Sequence, residues 1–159
     1  MTNEVLVLSM LLALGIIYVF TFYRVQYFFF RKFNIADANN AVLIIFISSL
    51  ISSSINMVHI ADIAADAFRY FIGTESFLKG FLYCLAFFSA TWIFSIVLFQ
   101  VSFVIVGIMT RENEADELIK NNTFLALVHS VILLTLAFII SAALVKIAAG
   151  FIPYPQMPF

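Results

Sequence analysis

The sequence predicts an all-α, polytopic membrane protein with four transmembrane helices in an up-down bundle. The chain has 159 residues, of which 64% are hydrophobic and 11% charged, whereas soluble domains average about 45–50% apolar and about 25% charged residues. Its mean hydropathy is +1.11. Four apolar segments reach the length of about 20 residues that a helix needs to cross a bilayer. No alternating polar and apolar pattern favours a transmembrane barrel.

The four predicted spans follow one another through short connections. The first covers residues 5–23, the second 41–61 with a polar-striped continuation to 71, the third 77–109, and the fourth 123–151. Short links place successive spans antiparallel. We expect one transmembrane domain over 1–159, ending in a proline-rich tail at 152–159 that cannot remain helical for long.

Composition also excludes several classes of function. A net charge of −1 offers no basic surface for nucleic acid. Cys84 is the single cysteine, which rules out an intrachain disulfide and a cysteine-based zinc site. The sequence has no glycine-rich phosphate loop, nucleophile elbow or HExxH motif. We therefore predict that the protein is not an enzyme, with no catalytic residues, no metal site and no cofactor.

Lysine and arginine counts predict the orientation in the membrane. The two loops on one side hold five basic residues, namely Arg24, Arg31, Lys32, Arg111 and Lys120. The opposite side holds three, namely Arg69, Lys79 and Lys146. The positive-inside rule then places both termini outside the cytoplasm of a bacterial cytoplasmic (inner) membrane. Tyrosines and phenylalanines surround the basic residues of the first loop, so we expect Arg24, Arg31 and Lys32 to reach lipid headgroups.

The second span carries a polar stripe at helical spacing. Its members are Ser48, Ser52, Asn56, His59, Asp62, Asp66 and Arg69. Polar groups on a membrane helix should face the bundle or water, because lipid leaves their hydrogen bonds unmade. Two interpretations stay open: the stripe packs against a neighbouring helix through its serines, or it lines a hydrophilic pathway.

Depth along the second span separates the two ends of this stripe. A rise of about 1.5 Å per residue places Ser52 near the midplane and His59 near the outer edge of the hydrocarbon core. Asp62, Asp66 and Arg69 should then lie among headgroups, where Asp66 and Arg69 can pair locally. An acidic mouth that concentrates cations is the alternative.

Two Asn-Asn pairs mark the starts of the second and fourth spans. They are Asn39, Asn40, Asn121 and Asn122. Capping of the first helical turn by Asn40 and Asn122 is the simplest interpretation; a ligand- or partner-binding turn is the other. The segment 37–48 also resembles 119–130, with Ser48 matching Ser130. This indicates a parallel two-span repeat about an axis along the membrane normal.

Three further sets of polar residues are candidates for function. Loop three, residues 110–122 between the third and fourth spans, is acidic and is expected to be solvated, with Glu114, Asp116 and Glu117 as candidate contacts for a cytoplasmic partner. His129 in the fourth span is either a hydrogen-bonded structural residue or a proton relay. Gln100 in the third span is interpreted first as an interhelical hydrogen-bonding residue and second as part of a pathway.

The segment Glu117-Leu118-Ile119-Lys120-Asn121-Asn122-Thr123 resembles a signature of the bacterial membrane family known as domain of unknown function 350. Residues 37–41 look like a weaker first copy without the Leu-Ile element. The resemblance implies small membrane proteins built from two-span units or pairs of them. It implies no settled activity, but genomic company with envelope-stress or membrane-associated partners.

These observations favour a non-catalytic integral membrane subunit or scaffold in contact with the lipid bilayer. We expect it to form a homo-oligomer, to recruit another protein through its cytoplasmic loops, or both. The alternative is an oligomeric channel or transporter for ions or small solutes, lined by the polar face of the second span.

Overall fold

The computed structural model describes residues 2–32, 39–74, 76–111 and 113–152. It contains four long helices, α1 (Thr2–Lys32), α2 (Asn40–Thr74), α3 (Phe77–Thr110) and α5 (Thr123–Gly150), and one short helix, α4 (Glu114–Ile119). By length and composition, each of the four long helices can cross a membrane. The predicted all-α, four-span fold is therefore confirmed. The tail beyond Ile152 lies outside the described residues.

The first helix continues beyond the predicted end of the first span. The sequence suggested an end at Tyr23, but α1 continues to Lys32. Phe22, Gln26 and Phe30 recur every four residues and are all buried, so this segment keeps one face against the bundle despite its basic residues. Much of the predicted first link is therefore helix. The other three spans end within a few residues of their expected positions.

Hydrogen bonds fix the direction of each helix relative to its neighbours. Arg69 near the end of α2 bonds Glu4 at the start of α1, so these helices are antiparallel. Cys84 of α3 donates to the Ala64 carbonyl of α2 at 3.1 Å, in the same antiparallel sense. α2 and α5 both begin at the loop-three side and run in parallel. α2 packs chiefly against α5 and α3, and α1 packs more lightly.

The core divides into two clusters along the bundle. One, at the end where α2 finishes, is built around Ala64, Phe68 and Cys84. The other, at the end where α2 begins, is built around Phe30, Ile45 and Leu133. The outward surface is covered by large apolar side chains such as Phe124, which is 75% exposed. A surface of this kind suits contact with lipid.

Candidate functional site

The polar stripe of α2 is buried at its start and exposed at its end. Its first three members, Ser48, Ser52 and Asn56, are buried, whereas His59, Asp62, Asp66 and Arg69 are exposed. At about 100° per residue, all seven members lie within an arc of about 140° on one side of α2, so the stripe itself does not turn. The buried face turns instead: it continues from Asn56 through Ile60 and Ala64, and each step of four residues moves it by about 40° around the helix. The stripe is therefore left outside beyond Asn56.

The buried part of the stripe is used for helix packing. Ser130 of α5 donates to the Ser48 hydroxyl at 2.9 Å, and the Asn56 amide donates to the Ser95 hydroxyl of α3 at 3.3 Å. This agrees with the packing interpretation for the inner residues. The pathway interpretation stays a prediction, because these contacts lie within a single chain.

The exposed end of the stripe forms an ion-pair group. The Arg69 guanidinium donates to Glu4 at 2.9 and 3.1 Å and to Asp66 at 3.1 Å. Pairing between Asp66 and Arg69 was expected from their spacing, whereas pairing of Arg69 with Glu4 of α1 was not. This group ties the start of α1 to the end of α2 and does not enclose a site.

A second polar cluster joins three helices in the middle of the bundle. Ser53 of α2 donates to the Tyr18 hydroxyl of α1 at 2.8 Å, and that hydroxyl lies 2.8 Å from the Ser95 hydroxyl of α3. All three residues are buried. Sequence reasoning missed Tyr18, because a tyrosine in an aromatic-rich span looks like any other apolar residue.

The most distinctive site is a buried imidazole–carboxyl pair formed by His129 and Glu114. His129 of α5 is fully buried, and Glu114 of α4 is 5% exposed. The His129 Nδ1 atom bonds the Glu114 Oε1 atom. The His129 Nε2 atom lies 2.8 Å from the Ser102 hydroxyl of α3. The Phe103 ring packs edge-on against the imidazole at 4.4 Å between centroids.

The short helix α4 carries the carboxyl group into this site. Asn113 caps α4 by accepting a hydrogen bond from the Ala115 N–H at 3.2 Å. Glu114 and Leu118 lie four residues apart and so share one face of α4, and both are buried. Leu118 is part of the apolar cluster at this end of the bundle. Burial of Leu118 thus turns Glu114 towards His129.

The Asn-Asn pairs hold α4 and the starts of α2 and α5 together. The Asn39 side chain accepts from the Val42 N–H at 2.9 Å and donates to the Leu118 carbonyl at 2.6 Å. Asn121, at φ 60°, accepts from the Ala41 N–H at 3.0 Å. α2 is therefore capped by Asn39 and not by Asn40 as predicted, because Asn40 is already the first helical residue and is exposed.

Asn122 has the capping role that the sequence predicted. Its side chain accepts from the Leu125 N–H at 3.1 Å and donates to Glu117 at 2.8 Å. The two matched serines of the predicted repeat, Ser48 and Ser130, bond each other across parallel helices. The caps, however, match Asn39 with Asn122, which is one residue out of register with the serine match. A duplication stays a prediction.

The acidic residues of loop three have three different environments. Glu114 is buried, so the expectation that it is solvated is wrong in this structure, whereas contact of these residues with a partner stays a prediction. Asp116 is exposed. Glu117 accepts from Lys120 at 2.6 Å as well as from Asn122. These bonds lower the pKa of the Glu117 carboxyl, with Asn122 contributing more than Lys120. Sequence spacing could not show which acidic residue α4 turns inward.

Burial determines the electrostatics of the Glu114 carboxyl. Removal from water raises the pKa of Glu114 above its ordinary value, and the hydrogen bond and charge of His129 oppose that rise. The Glu114 Oε2 atom is buried and has no hydrogen-bond partner within the part of the chain that the structure describes. An ionised carboxylate at this position is therefore costly.

The order hydroxyl, imidazole, carboxyl matches that of a hydrolase triad, but the surroundings differ. The Ser102 hydroxyl donates to the Phe99 carbonyl of its own helix at 2.7 Å and is completely buried. Backbone N–H groups in the middle of α3 are engaged in helical hydrogen bonds, so they cannot stabilise an oxyanion. The arrangement can bind and transfer a proton, and it offers a substrate no approach to the serine.

The remaining predicted residues lie on the surface of α1. Arg24 and Arg31 are exposed, and the Arg24 guanidinium lies 5.3 Å from the centroid of the Phe20 ring. The Lys32 side chain lies outside the described residues. Contact of these residues with headgroups stays a prediction.

Comparison with protein-family models, with curated proteins and with solved structures gives no match to this chain. The resemblance to the domain of unknown function 350 family therefore stays a prediction from the sequence.

Proposed function

We propose that this protein is a non-catalytic integral membrane subunit that binds a proton at the Glu114–His129 pair and thereby controls how α4 lies against the bundle. The observation that supports it most is the burial of a loop carboxyl group against an imidazole inside a membrane span. Ionisable groups in such positions are expensive, and they commonly mark proton-handling sites. In the proposed orientation, α4 lies on the cytoplasmic side of a bacterial inner membrane.

Counting protons on the pair explains why its charge controls α4. With one proton, shared between Glu114 and His129, the pair is neutral overall. With no proton it carries a buried negative charge, and with two protons it carries a buried positive charge. Both charged states are penalised in an apolar site. Docking of α4 is therefore most stable when the pair holds a single proton.

The direction of the pH dependence follows from the raised pKa of Glu114. A group whose pKa is raised by folding contributes stability below its ordinary pKa and loses it as the pH rises through the raised value. We expect α4 to loosen as the pH rises. The neighbours from α3, namely Ser102, Phe99 and Phe103, are uncharged. The nearby charged residues Glu117 and Lys120 pair with each other.

Loosening of α4 would change the surface available to a partner protein. In the docked state that surface includes exposed Asp116 and Ile119, the latter 52% exposed. Release would add Leu118 and Glu114, which are now buried. The alternative of a pathway lined by α2 has no specific support, because Ser48, Ser52 and Asn56 face the interior of their own bundle.

A spin label on α4 tests this proposal. Asp116→Cys provides an exposed attachment site, and the native Cys84 is buried. In nanodiscs titrated upwards from about pH 5, which is just above the ordinary pKa of a glutamate, to about pH 9, we expect label mobility to rise with pH. The additional variant Glu114→Gln keeps a hydrogen-bonding group but cannot release a proton, so the rise should be absent.

Glu117→Gln is the matched control in the same helix, and it should leave the rise in mobility unchanged. Unchanged elution and helicity would show that each variant is folded. The proposal fails if the unsubstituted Glu114 chain shows no rise, or if Glu114→Gln shows the same rise.

A further inference from the structure

Gln100 is a polar side chain on the outer surface of α3, deep within the span. Ser102, two residues away, bonds His129, which lies seven residues beyond the Asn122 cap of α5. At about 1.5 Å per residue, Gln100 lies about 13 Å from the level of that cap. This depth is close to the centre of a hydrocarbon core about 30 Å thick. The side chain is exposed.

The Gln100 amide has no hydrogen-bond partner among residues 2–32, 39–74, 76–111 and 113–152. Two other exposed polar residues of the spans satisfy their hydroxyl groups on their own helix: Ser54 bonds the Leu50 carbonyl and Thr135 bonds the Val131 carbonyl, each at 2.8 Å. A glutamine is too short to reach the headgroups from the centre of the membrane. An unpaired amide in lipid is costly, so a partner outside the described residues is needed.

The residues around Gln100 form a regular seam along α3. Its members, alternately four and three residues apart, are Ala86, Ala90, Ile93, Val97, Gln100, Val104 and Gly107. All are exposed except Gly107, which is half-buried. Any lipid-facing side of a helix can show this spacing. Two features distinguish this one: small residues at both ends, which allow close helix approach, and a single amide at its centre.

We propose that this seam of α3 binds a second copy of the same chain about a two-fold axis along the membrane normal. A two-fold interface brings the same surface of both copies together. A carboxamide is both donor and acceptor, so Gln100 of one copy satisfies Gln100 of the other where the two α3 helices cross. The self-complementary amide is the reason for choosing a second copy over an unrelated membrane helix. This interface is independent of the proton-binding pair.

Cysteine cross-linking in proteoliposomes tests the interface. Val131→Cys on α5 is the matched control, because Val131 is 64% exposed and lies at about the same depth, nine residues beyond the α5 cap. With copper–phenanthroline as oxidant, Gln100→Cys should give a covalent dimer and Val131→Cys should not. The unmodified chain, with its buried Cys84, is the blank.

A second measurement does not depend on introducing cysteine at the seam. Energy transfer between labelled copies, diluted with increasing lipid, gives the association constant. Gln100→Leu should weaken association by about 3- to 30-fold, the range given by one interhelical hydrogen bond of this type, and Gln100→Asn should retain most of it. Three results would overturn the proposal: equal cross-linking at the two positions, unaltered association in Gln100→Leu, or a chain that stays monomeric. A monomeric chain overturns it even if a different membrane protein is found to cover the seam.

Discussion

At the scale of single residues, the Tyr18 hydroxyl joins three separate helices. It contacts Ser53 of α2 and Ser95 of α3 from its position on α1, which packs lightly against the rest. We expect Tyr18→Phe to lower the free energy of unfolding by about 0.5–2 kcal/mol, because two buried hydroxyls lose a partner while the ring stays in place. Reversible unfolding in mixed micelles measures this change.

Tyr27→Phe is the control for the loss of a tyrosine hydroxyl from α1. Tyr27 is 50% exposed, so its replacement should change the unfolding free energy little. If both substitutions have the same effect, the Tyr18 cluster does not hold α1 in place.

The difference between what sequence could and could not predict is clearest for His129 and Glu114. His129 was a candidate because a histidine in an apolar span is conspicuous. Glu114 looked solvated, because it lies in an acidic loop whose inward face is decided by packing of Leu118. The pair thus depends on contacts between α4 and α5 that no local pattern encodes. The same limit applies to Tyr18, whose partners lie 35 and 77 residues away.

At the scale of secondary-structure elements, the start of α2 offers a test that separates two adjacent asparagines. Asn39 caps α2 and also bonds the Leu118 carbonyl, whereas Asn40 is exposed. Asn39→Ala should cost about 0.5–2 kcal/mol of stability from the lost cap, together with weaker docking of α4. Asn40→Ala should be close to neutral. The free energy of unfolding and the mobility of a label at Asp116→Cys report these two effects.

Equal costs at the two positions would contradict the observed cap and favour the register that the repeat alignment predicts. The result would also show whether α4 is held from the α2 side. Because the two asparagines are adjacent in the chain, a general effect of removing an amide would appear in both variants.

The presence of the four long helices was predictable from hydropathy, whereas the side that each helix buries was predictable only in part. Four spans follow from composition alone, because lipid requires long apolar helices. The face of α2 was inferred correctly as far as Asn56, where polar residues recur every four positions. Beyond it, the buried face turns around the helix in steps of four through Ile60 and Ala64, and only the packing of these residues shows that the stripe is left outside. The end of α1 was misplaced because its basic residues hid a buried face.

At the scale of the whole molecule, the interior of the bundle combines two apolar clusters with polar contacts between helices, and large apolar side chains cover its outside. The two ends differ in chemistry. The end with α4 carries the proton-binding pair and the asparagine contacts, and the opposite end carries the exposed Glu4–Arg69–Asp66 group. The proposed proton-dependent movement of α4 would therefore face one compartment only, and the orientation of the bundle decides which compartment that is.

The positive-inside rule predicts that α4 faces the cytoplasm, because the α4 side holds five basic residues against three on the other. Gly73→Cys marks the opposite side: Gly73 is exposed and has open space for a side chain. Asp116→Cys marks the α4 side. In intact bacterial cells, a membrane-impermeant maleimide should label Gly73→Cys at once and Asp116→Cys only after permeabilisation. The unmodified chain should remain unlabelled, because Cys84 is buried. The reverse pattern would place α4, and the proton that the pair responds to, on the outside of the cell.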